Sequence, residues 1–208
     1  MKIELMRYEN KKYTNTLKGQ IMKKIFYLLL TAGLFFFGCS DVGTNVVNQP
    51  ASSNKTIVKI PAKSGHALVT DLSVSKNIDG SKGGIIILKT GFDAEDGNQV
   101  GVFATLKIPK NAFSGNTDIS MAADQDYAGL IFAPHMVFNK SLNLNLTFTG
   151  LNFQELGIKN DKVGFYNIDD NGNLTPVPNN GVFINYATGT IKVVGAQIDH
   201  FSRYAFAQ

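Results

Sequence analysis

The sequence predicts an all-β fold, a single antiparallel β-sandwich domain formed by residues 56–208. Three observations support this prediction. Apolar and polar residues alternate from 142 to 148, which is the period-two pattern of a strand with one buried face. Glycine next to Asp, Asn or Thr follows several apolar segments and predicts tight turns. No stretch has three or more turns of helical apolar periodicity, and many short strands separated by turns are typical of a sandwich or barrel.

The predicted strands follow one another without a second domain or an internal repeat. The run Ile85-Ile86-Ile87-Leu88 predicts a strand buried on both faces. The next strand ends at Pro109, which cannot donate to a strand ladder. Turns are predicted at 96–98, 170–173 and 187–189, and a single helical turn at 153–156. We predict strands at residues 85–88, 100–108, 119–122, 130–132, 142–148, 163–168, 181–186, 190–194 and 203–206.

The N-terminal region has the pattern of an export signal. Two lysines precede a 13-residue apolar run, 25–37, which ends at the small residue Gly38. Because about 20 apolar residues are needed to cross a bilayer, this run favours a cleaved signal peptide over a transmembrane helix. We therefore assign residues 1–38 to a leader and signal peptide. Met22 is an alternative start of the protein, since residues 1–21 are polar and lack periodicity.

The segment Phe36-Phe37-Gly38-Cys39 resembles the lipobox of bacterial lipoproteins, in which the cysteine thiol is acylated and the signal is cut before it. Phe36 stands where leucine is most usual. The resemblance implies a membrane anchor through acylated Cys39 in the bacterial cell envelope, at the outer membrane in preference to the inner membrane. A lone cysteine after an ordinary signal peptide is the alternative. Ser40-Asp41 is a fragment of the acidic signal of some surface-exported lipoproteins, which leaves surface exposure open.

Residues 39–55 are small and polar, which predicts a flexible tether between the anchor and the domain. The charge also changes along this part of the chain. The chain has 20 Lys and Arg and 16 Asp and Glu, but residues 1–38 hold seven of the basic residues and two of the acidic ones. The rest of the chain therefore has 13 basic and 14 acidic residues. Since nucleic-acid binding needs basic residues clustered on the folded domain, we do not expect a nucleic-acid partner.

Several segments, taken in order, resemble the ZU-five domain, the module of ankyrins and netrin receptors. They begin with Thr105-Leu106-Lys107-Ile108-Pro109-Lys110-Asn111-Ala112-Phe113-Ser114, in which Asn111 stands where glycine is common. Segments at 117–121, 130–138, 142–148 and 200–206 follow, so the resemblance spans about residues 83–206. It implies a β-sandwich with a binding or structural role and does not imply a particular ligand.

The motif His200-Phe201-Ser202 is the sharpest candidate for chemistry, and it comes from this resemblance. In some members of the family the serine hydroxyl attacks the preceding carbonyl, and the resulting ester is hydrolysed. Here the bond between Phe201 and Ser202 would break, with His200 as base or polarising group. The alternative is structural, with His200 and Ser202 tying a corner while Phe201 and Tyr204 anchor the strand. In a regular strand, Phe201 and Tyr204 would face opposite sides of the sheet, because one number is odd and the other even. If both are to anchor the strand, a bulge or bend is predicted between them.

Three acidic loops carry oxygen ligands of the type that calcium prefers. If two loops met at one end of the sandwich, they could share an ion and support calcium-dependent adhesion or glycan binding. None of the loops has the full spacing of a helix–loop–helix calcium site. Solvated turns, in which Asp accepts from its own backbone, are the alternative. The residues are Asp93, Glu95 and Asp96 in the first loop, Asp124 and Asp126 in the second, and Asp169 and Asp170 in the third.

Other classes of site lack the residues they need. The single cysteine excludes an intramolecular disulfide and a cysteine-based zinc site. No G-x-S-x-G motif is present, and Asp199-His200-Phe201-Ser202 is too compact for a catalytic triad. The chain has no Trp to stack on sugars beside a pair of catalytic carboxylates. Exposed strand edges offer a place for a peptide partner, and we expect charges such as Lys107 and Lys192 to protect them.

The sequence therefore predicts a non-catalytic binding or structural module, lipid-anchored outside the cytoplasm, without a cofactor. The partner, a protein or a glycan, is not identified by the residues. Two alternatives stay open: a self-processing domain that cleaves between Phe201 and Ser202, and a calcium-dependent adhesion or glycan-binding domain.

Overall fold

The structure, a computed structural model, describes residues 55–64, 72–159 and 162–208. All of these residues belong to one compact unit, 49–208. The predicted signal peptide, Cys39 and the tether up to residue 54 lie outside the described residues.

The described part of the chain is almost entirely β-structure, with one 3₁₀ turn at Tyr186–Thr188. Two antiparallel sheets are formed, with strand orders β1-β4-β5-β11-β7-β8 and β2-β3-β6-β10-β9. We call them the six-stranded and the five-stranded sheet. The predicted fold class, an all-β sandwich of antiparallel strands, is confirmed. The strands are β1 (Ser73–Asp79), β2 (Gly84–Asp93), β3 (Gln99–Ile108), β4 (Asn116–Ala123), β5 (Gly129–Ala133), β6 (Val137–Thr149), β7 (Gly164–Ile168), β8 (Leu174–Pro176), β9 (Val182–Asn185), β10 (Thr190–His200) and β11 (Arg203–Ala207).

The core lies between the two sheets, because alternate residues of each strand point inward. In the five-stranded sheet, β6 buries Leu142, Leu144, Leu146 and Phe148 in the alternation that the sequence predicts. The six-stranded sheet contributes both aliphatic side chains and the aromatic rings of Phe132, Phe165, Tyr204 and Phe206. Burial of this apolar surface is the main force that holds the sheets together.

The prediction that the strand at 85–88 is buried on both faces is wrong. Ile86 and Leu88 are buried, but Ile85 is 47% exposed and Ile87 is 54% exposed. They lie on β2, an edge strand of the five-stranded sheet, which has one face on the core and the other in solvent. Because the outward positions are also isoleucine, the sequence has no alternation that would reveal the two faces.

Three other differences from the sequence prediction concern strand ends and edges. The strand β1 was not predicted because it is polar and buries only Ile78, and β8 was missed because it has only three residues. The strand β10 continues past Val194, where the prediction ended. Gly195, with φ 63°, lies at a register shift between Val193 and Ala196 against β6. The glycine therefore marks a bulge inside the strand, not its end.

The turn predictions are confirmed. Gly97, Gly172 and Gly189 all have positive φ. The last of these also needs the space, because a Cβ on Gly189 would lie 2.3 Å from the carbonyl oxygen of Leu151. The expected helical turn is a single turn in which the Leu156 amide donates to the Asn152 carbonyl at 3.0 Å.

The chain enters the domain through an extra extended segment, 55–60, that the sequence did not indicate. Thr56 exchanges two backbone hydrogen bonds with Gln208, at 2.8 and 3.0 Å. The Val58 amide donates to the Phe206 carbonyl at 2.9 Å, and the Val58 carbonyl accepts from the Ala128 amide at 2.8 Å. The segment therefore lies between the end of β11 and the loop that precedes β5, and it attaches the start of the domain beside its last residue.

Candidate functional site

The His200-Phe201-Ser202 motif forms the crossover between the two sheets. The strand β10 ends at His200 in the five-stranded sheet, and β11 begins at Arg203 in the six-stranded sheet. The bend predicted from the parity of Phe201 and Tyr204 is confirmed by this change of sheet. Phe201 is fully buried at the corner, and its ring stacks on Phe132 with a centroid distance of 5.1 Å.

Tyr204 fastens the corner to the strand before it. Its hydroxyl donates to the carbonyl oxygen of His200, four residues earlier, at 2.6 Å. Burial raises the pKa of the Tyr204 phenol, so the hydroxyl stays protonated and continues to donate. A buried tyrosine that bonds back to the preceding corner is a recurrent fastening of β-sandwiches.

The side chains of Asp199, His200 and Ser202 have different surroundings. The Ser202 hydroxyl donates to the carbonyl oxygen of Ile168 at 3.2 Å, and the Asp199 carboxylate accepts from the Ser141 hydroxyl. The His200 ring lies 6.5 Å from the His135 ring, measured between centroids. These contacts match the structural alternative, in which the motif ties a corner. Self-cleavage between Phe201 and Ser202 stays a hypothesis that a mass measurement can test.

The acidic loops at 93–98 and 169–173 lie at opposite ends of the sandwich. Asp93 pairs with Gln99 at the end of the sheet where β6 finishes, since Gly101 on the same strand pairs with Thr149. The loop at 169–173 follows Ile168, which pairs with Arg203 just after the crossover, and the crossover begins where His200 pairs with Val137 at the start of β6. The two loops therefore do not meet to share an ion.

Two of the acidic side chains, Asp96 and Asp169, accept hydrogen bonds within the turns they form. Asp169 accepts from the backbone amide of Asn173 at 2.7 Å and from its side-chain amide at 2.8 Å, and these bonds lower the pKa of Asp169. Asp96 accepts from Asn98 in the same way. Over the described ranges, no group of three or more His, Cys, Asp and Glu side chains is placed to hold a metal ion. Calcium binding through Asp93, Glu95, Asp96, Asp169 and Asp170 stays a hypothesis.

Asp124, in the remaining acidic loop, has a structural role. It is only 2% exposed, and it forms an ion pair with the guanidinium of Arg203. Its other carboxylate oxygen accepts from the backbone amides of Asp126 at 2.9 Å and Tyr127 at 3.2 Å. The bond to Asp124 raises the pKa of Arg203, which therefore remains charged against its buried partner.

The prediction that Lys107 and Lys192 protect strand edges is wrong. They lie on β3 and β10, which are interior strands of the five-stranded sheet, and their side chains project from its outward face. The edge strand β2 instead lies beside β1 of the other sheet. The ammonium of Lys76 on β1 donates to the carbonyl oxygen of Ile85 at 3.0 Å. Parity along the sequence indicates which residues share a face but does not indicate which strands are central.

The outward face of the five-stranded sheet carries one continuous row of side chains across all five strands. Lys89 on β2 pairs with Phe103 on β3, which pairs with Thr147 on β6. Thr147 pairs with Lys192 on β10, which pairs with Phe183 on β9. We call these five residues the Lys–Phe row. With neighbouring strands about 4.8 Å apart, the row is about 19 Å long.

Aromatic and aliphatic side chains are exposed along this face. Phe103 is 47% exposed and Phe183 is 50% exposed, near the two ends of the row. The Lys192 ammonium lies 5.0 Å above the centre of the Phe183 ring, a cation–π contact. Ile85 and Ile87 on β2 extend the apolar area beside the row.

Shallow depressions flank the row. One, of about 560 Å³, lies over Gly91 and Gly101, which pair with each other. A Cβ on Gly101 would lie 2.6 Å from the Thr149 hydroxyl, so a side chain at this position would clash with Thr149. A depression of about 380 Å³ adjoins Phe103 and Thr147. A third, of about 290 Å³, lies beside Phe183 and Lys192.

The centre of this face is positively charged. Within the described ranges, the ion pairs join Lys82 to Asp79 and Arg203 to Asp124, so no described carboxylate pairs with the lysines of the face. Those lysines are Lys89, Lys107 and Lys192. The two carboxylates near the face, Asp93 and Asp199, lie at its opposite ends.

Sequence reasoning missed this face, although part of its signal was present. Phe103 and Lys107 share a parity along strand 100–108, opposite to the residues that are buried. What the sequence lacked was the strand order, which places Phe103 beside Thr147 and Thr147 beside Lys192. Pairing between segments so far apart in the chain cannot be read from either segment alone.

The fold and this face define a β-sandwich domain with an open sheet surface lined by lysine and phenylalanine. No family model matches the sequence, and neither a curated protein nor a solved structure matches the chain. In the part of the chain that the structure describes, no helix has the length and apolar character needed to cross a membrane.

Proposed function

We propose that the protein is a non-catalytic binding module of the bacterial cell envelope that contacts its partner through the outward face of the five-stranded sheet. The Lys–Phe row is the observation that carries this proposal. Five of the seven large apolar side chains exposed among the described residues lie on this one face: Ile85, Ile87, Phe103, Val137 and Phe183. Apolar side chains gathered on one surface, with polar residues between them, are typical of an interaction site.

The composition of the face supports binding over catalysis. The Lys–Phe row consists of Lys, Phe and Thr, and the neighbouring outward positions include Ile85, Ile87, Thr105 and Asn143. His, Cys and carboxylate side chains supply most general bases and nucleophiles, and none of them belongs to the row. At the corner, the Ser202 hydroxyl donates to the carbonyl oxygen of Ile168, and the His200 carbonyl accepts from the Tyr204 hydroxyl.

Anchoring through acylated Cys39 is the second part of the proposal, and it rests on the lipobox resemblance. The tether would join the domain at residue 56, where backbone hydrogen bonds attach the chain to Gln208. More than one acyl chain gives stable membrane attachment, whereas a single chain is marginal.

A sedimentation experiment tests the binding face. A Cys39→Ser chain, which cannot be acylated, is added to isolated cell envelopes and centrifuged. We expect it to sediment with the envelopes, and we expect the further variant Ile87→Thr/Phe103→Thr to remain in the supernatant. Threonine keeps the strand propensity of both positions while it removes apolar area.

A matched control changes an exposed isoleucine on the other sheet. Ile131 lies on β5 of the six-stranded sheet and is 44% exposed, and Ile131→Thr is expected to sediment like the parent. Equal sedimentation of the face variant and of the Ile131→Thr control would contradict the assignment of the face. In cells, acylation is tested in chains that lack the face contacts. The Cys39→Ser/Ile87→Thr/Phe103→Thr variant should leave the membrane fraction, whereas Ile87→Thr/Phe103→Thr with Cys39 intact should stay in it. Equal retention of the two would count against acylation.

A further inference from the structure

The Lys–Phe row has a repeated arrangement that points to one class of partner. Each half of the row places a lysine next to a phenylalanine, Lys89 with Phe103 and Lys192 with Phe183, and Thr147 lies between the halves. We propose that the face binds a linear anionic polysaccharide, a chain of sugar rings that carry carboxylates. This proposal rests on the proposed function, since it names the partner of the same surface.

The spacing of the row requires an extended ligand. Phe103 on β3 and Phe183 on β9 are separated by three strand spacings, which is about 14 Å. A single small anion cannot contact both rings, whereas a polymer lying across the strands can contact both at once. The depressions beside Phe103 and Phe183 give room for a ring at each place.

Each group of the row matches a part of an acidic sugar. The apolar face of a sugar ring can stack on a phenyl ring, and the exposed Phe103 ring provides such a surface. At Phe183 a sugar ring would replace the Lys192 ammonium, which now lies 5.0 Å from the ring centre. A carboxylate on the sugar would pair with the lysine ammonium next to each ring. The Thr147 hydroxyl, between the two halves, is able both to donate to and to accept from sugar hydroxyls.

The charges on the face fit an anionic chain that crosses the strands. Lys89 and Lys192 belong to the row, whereas Asp93 and Asp199 lie beyond it, at the two ends of the face along the strand direction. A polymer with one carboxylate per sugar ring that lies along the row would meet both lysines and pass between the two aspartates. Nucleic acid has a charge on every phosphate, and its recognition needs a more extended basic surface than three lysines.

The same face is poorly suited to a bilayer or to a peptide strand. Thr105, Asn143 and Thr147 run through its middle, and their burial in hydrocarbon without partners would be costly. A peptide that adds to a sheet needs a free strand edge. The row instead crosses β3, β6 and β10, whose backbones are already paired on both sides.

Titration calorimetry with the full chain in detergent tests the proposal. Polygalacturonate is the acidic probe, and the same polymer with its carboxylates methylated is the neutral control. We expect heat of binding for the acidic polymer, its loss with the methyl ester, and weaker binding at high salt because the ion pairs are screened. The Lys89→Gln/Lys192→Gln variant should bind the acidic polymer about tenfold or more weakly.

Two further variants make the result specific. Lys110→Gln/Lys159→Gln removes the same charge from exposed positions outside the row and should leave the affinity unchanged. Phe103→Leu/Phe183→Leu keeps the charge and apolar character but removes both rings, and it should weaken binding. No binding of the acidic polymer, equal binding of the methyl ester, or equal affinity of both lysine variants would overturn the proposal.

Two other probes identify a wrong partner class. Tighter binding of single-stranded DNA than of the polymer, or binding of vesicles with anionic lipid in place of the polymer, would also overturn it. If the face variant still loses envelope sedimentation while the polymer does not bind, the binding face stands and only the polysaccharide assignment fails.

Discussion

Tyr204 and Phe201 hold the chain where it passes from one sheet to the other. Phe201 is enclosed by Phe132 and Phe138, and the Tyr204 hydroxyl donates to the carbonyl of His200. Residues 200–204 are therefore held both by packing of aromatic rings and by a hydrogen bond. The motif that suggests cleavage in the sequence is therefore also a firmly held corner of the domain.

The Tyr204 hydroxyl should make a measurable contribution to stability. Replacing it in Tyr204→Phe removes one buried hydrogen bond, so we expect a loss of about 0.5–1.5 kcal/mol in the free energy of unfolding. Urea denaturation measures it. Tyr186→Phe is the matched control, since the hydroxyl of the more exposed Tyr186 donates to Ile158 at 3.2 Å and should matter less. A larger loss for Tyr186→Phe would contradict the fastening role of Tyr204.

The titration of Asp169, in the loop between β7 and β8, tests the hydrogen bonds that its carboxylate accepts. Hydrogen bonds from Asn173 lower the pKa of Asp169, so the ionised form is favoured in the folded state. The stabilisation that follows is present above the ordinary aspartate pKa of about 3.9 and is lost as the pH falls through the folded pKa. Carboxyl NMR should give a folded pKa below that ordinary value, and Asn173→Ala should raise it. An unchanged titration in Asn173→Ala would refute Asn173 as the cause of the lowered pKa.

For single residues, contacts between near neighbours in the chain could be predicted from the sequence, and contacts between distant segments could not. The turn-forming role of Asp169 and Asn173 could be predicted, because the hydrogen bonds are local in the chain. The pairing of Asp124 with Arg203 could not, because 79 residues separate the two partners. Only the fold brings that carboxylate and that guanidinium together.

Among the elements, β2 shows how burial alternates within an unbroken apolar run. Ile86 is 1% exposed, whereas its neighbour Ile87 projects into solvent from the opposite face. Ile86→Ala should cost about 2–5 kcal/mol in unfolding free energy, because it removes buried methylene groups and leaves a cavity. Ile87→Ala should cost at most about 1 kcal/mol, the range of strand propensity.

Denaturant unfolding of the two variants shows whether one face of β2 or both faces are buried. Equal losses for Ile86→Ala and Ile87→Ala would mean that both sides of β2 are buried, as the sequence alone predicted. The sequence pattern was sufficient for β3 and β6, where polar residues mark the outward face. It failed for β2 because residues on both faces are apolar, and for β1 because almost none are.

At the largest scale, the described domain is a sandwich in which β11 lies inside the six-stranded sheet, between β5 and β7. Self-cleavage would separate residues 202–208 from the chain but would leave them paired on both sides. We expect no cleavage, because the Ser202 hydroxyl donates to Ile168 and the corner is fastened by Tyr204.

The intact mass of the denatured protein tests this expectation. We predict one mass that includes residues 202–208 and does not change over days. A species that lacks those residues, and that Ser202→Ala restores to full length, would make His200 and Ser202 functional residues. Denaturation is essential, since a cleaved β11 would stay hydrogen-bonded in place.

Fold class and turn positions could be predicted because alternation and glycine chemistry are local properties. The binding face could not, because it depends on which strands are neighbours. Phe103 and Phe183 belong to one surface only when β3, β6, β10 and β9 lie in that order. The lysines assigned to edges in the sequence are central in the sheet for the same reason.

The measurement that tests the binding face most directly compares lysine reactivity in the native envelope with that in the purified protein. Acetylation of intact cells or isolated envelopes, followed by peptide mass spectrometry, reports each lysine separately. We predict that Lys89, Lys107 and Lys192 react less in the envelope than in the purified chain, while Lys110 and Lys159, outside the face, react equally in both. Unchanged reactivity of the three face lysines in the envelope would contradict the claim that this face is where the protein binds.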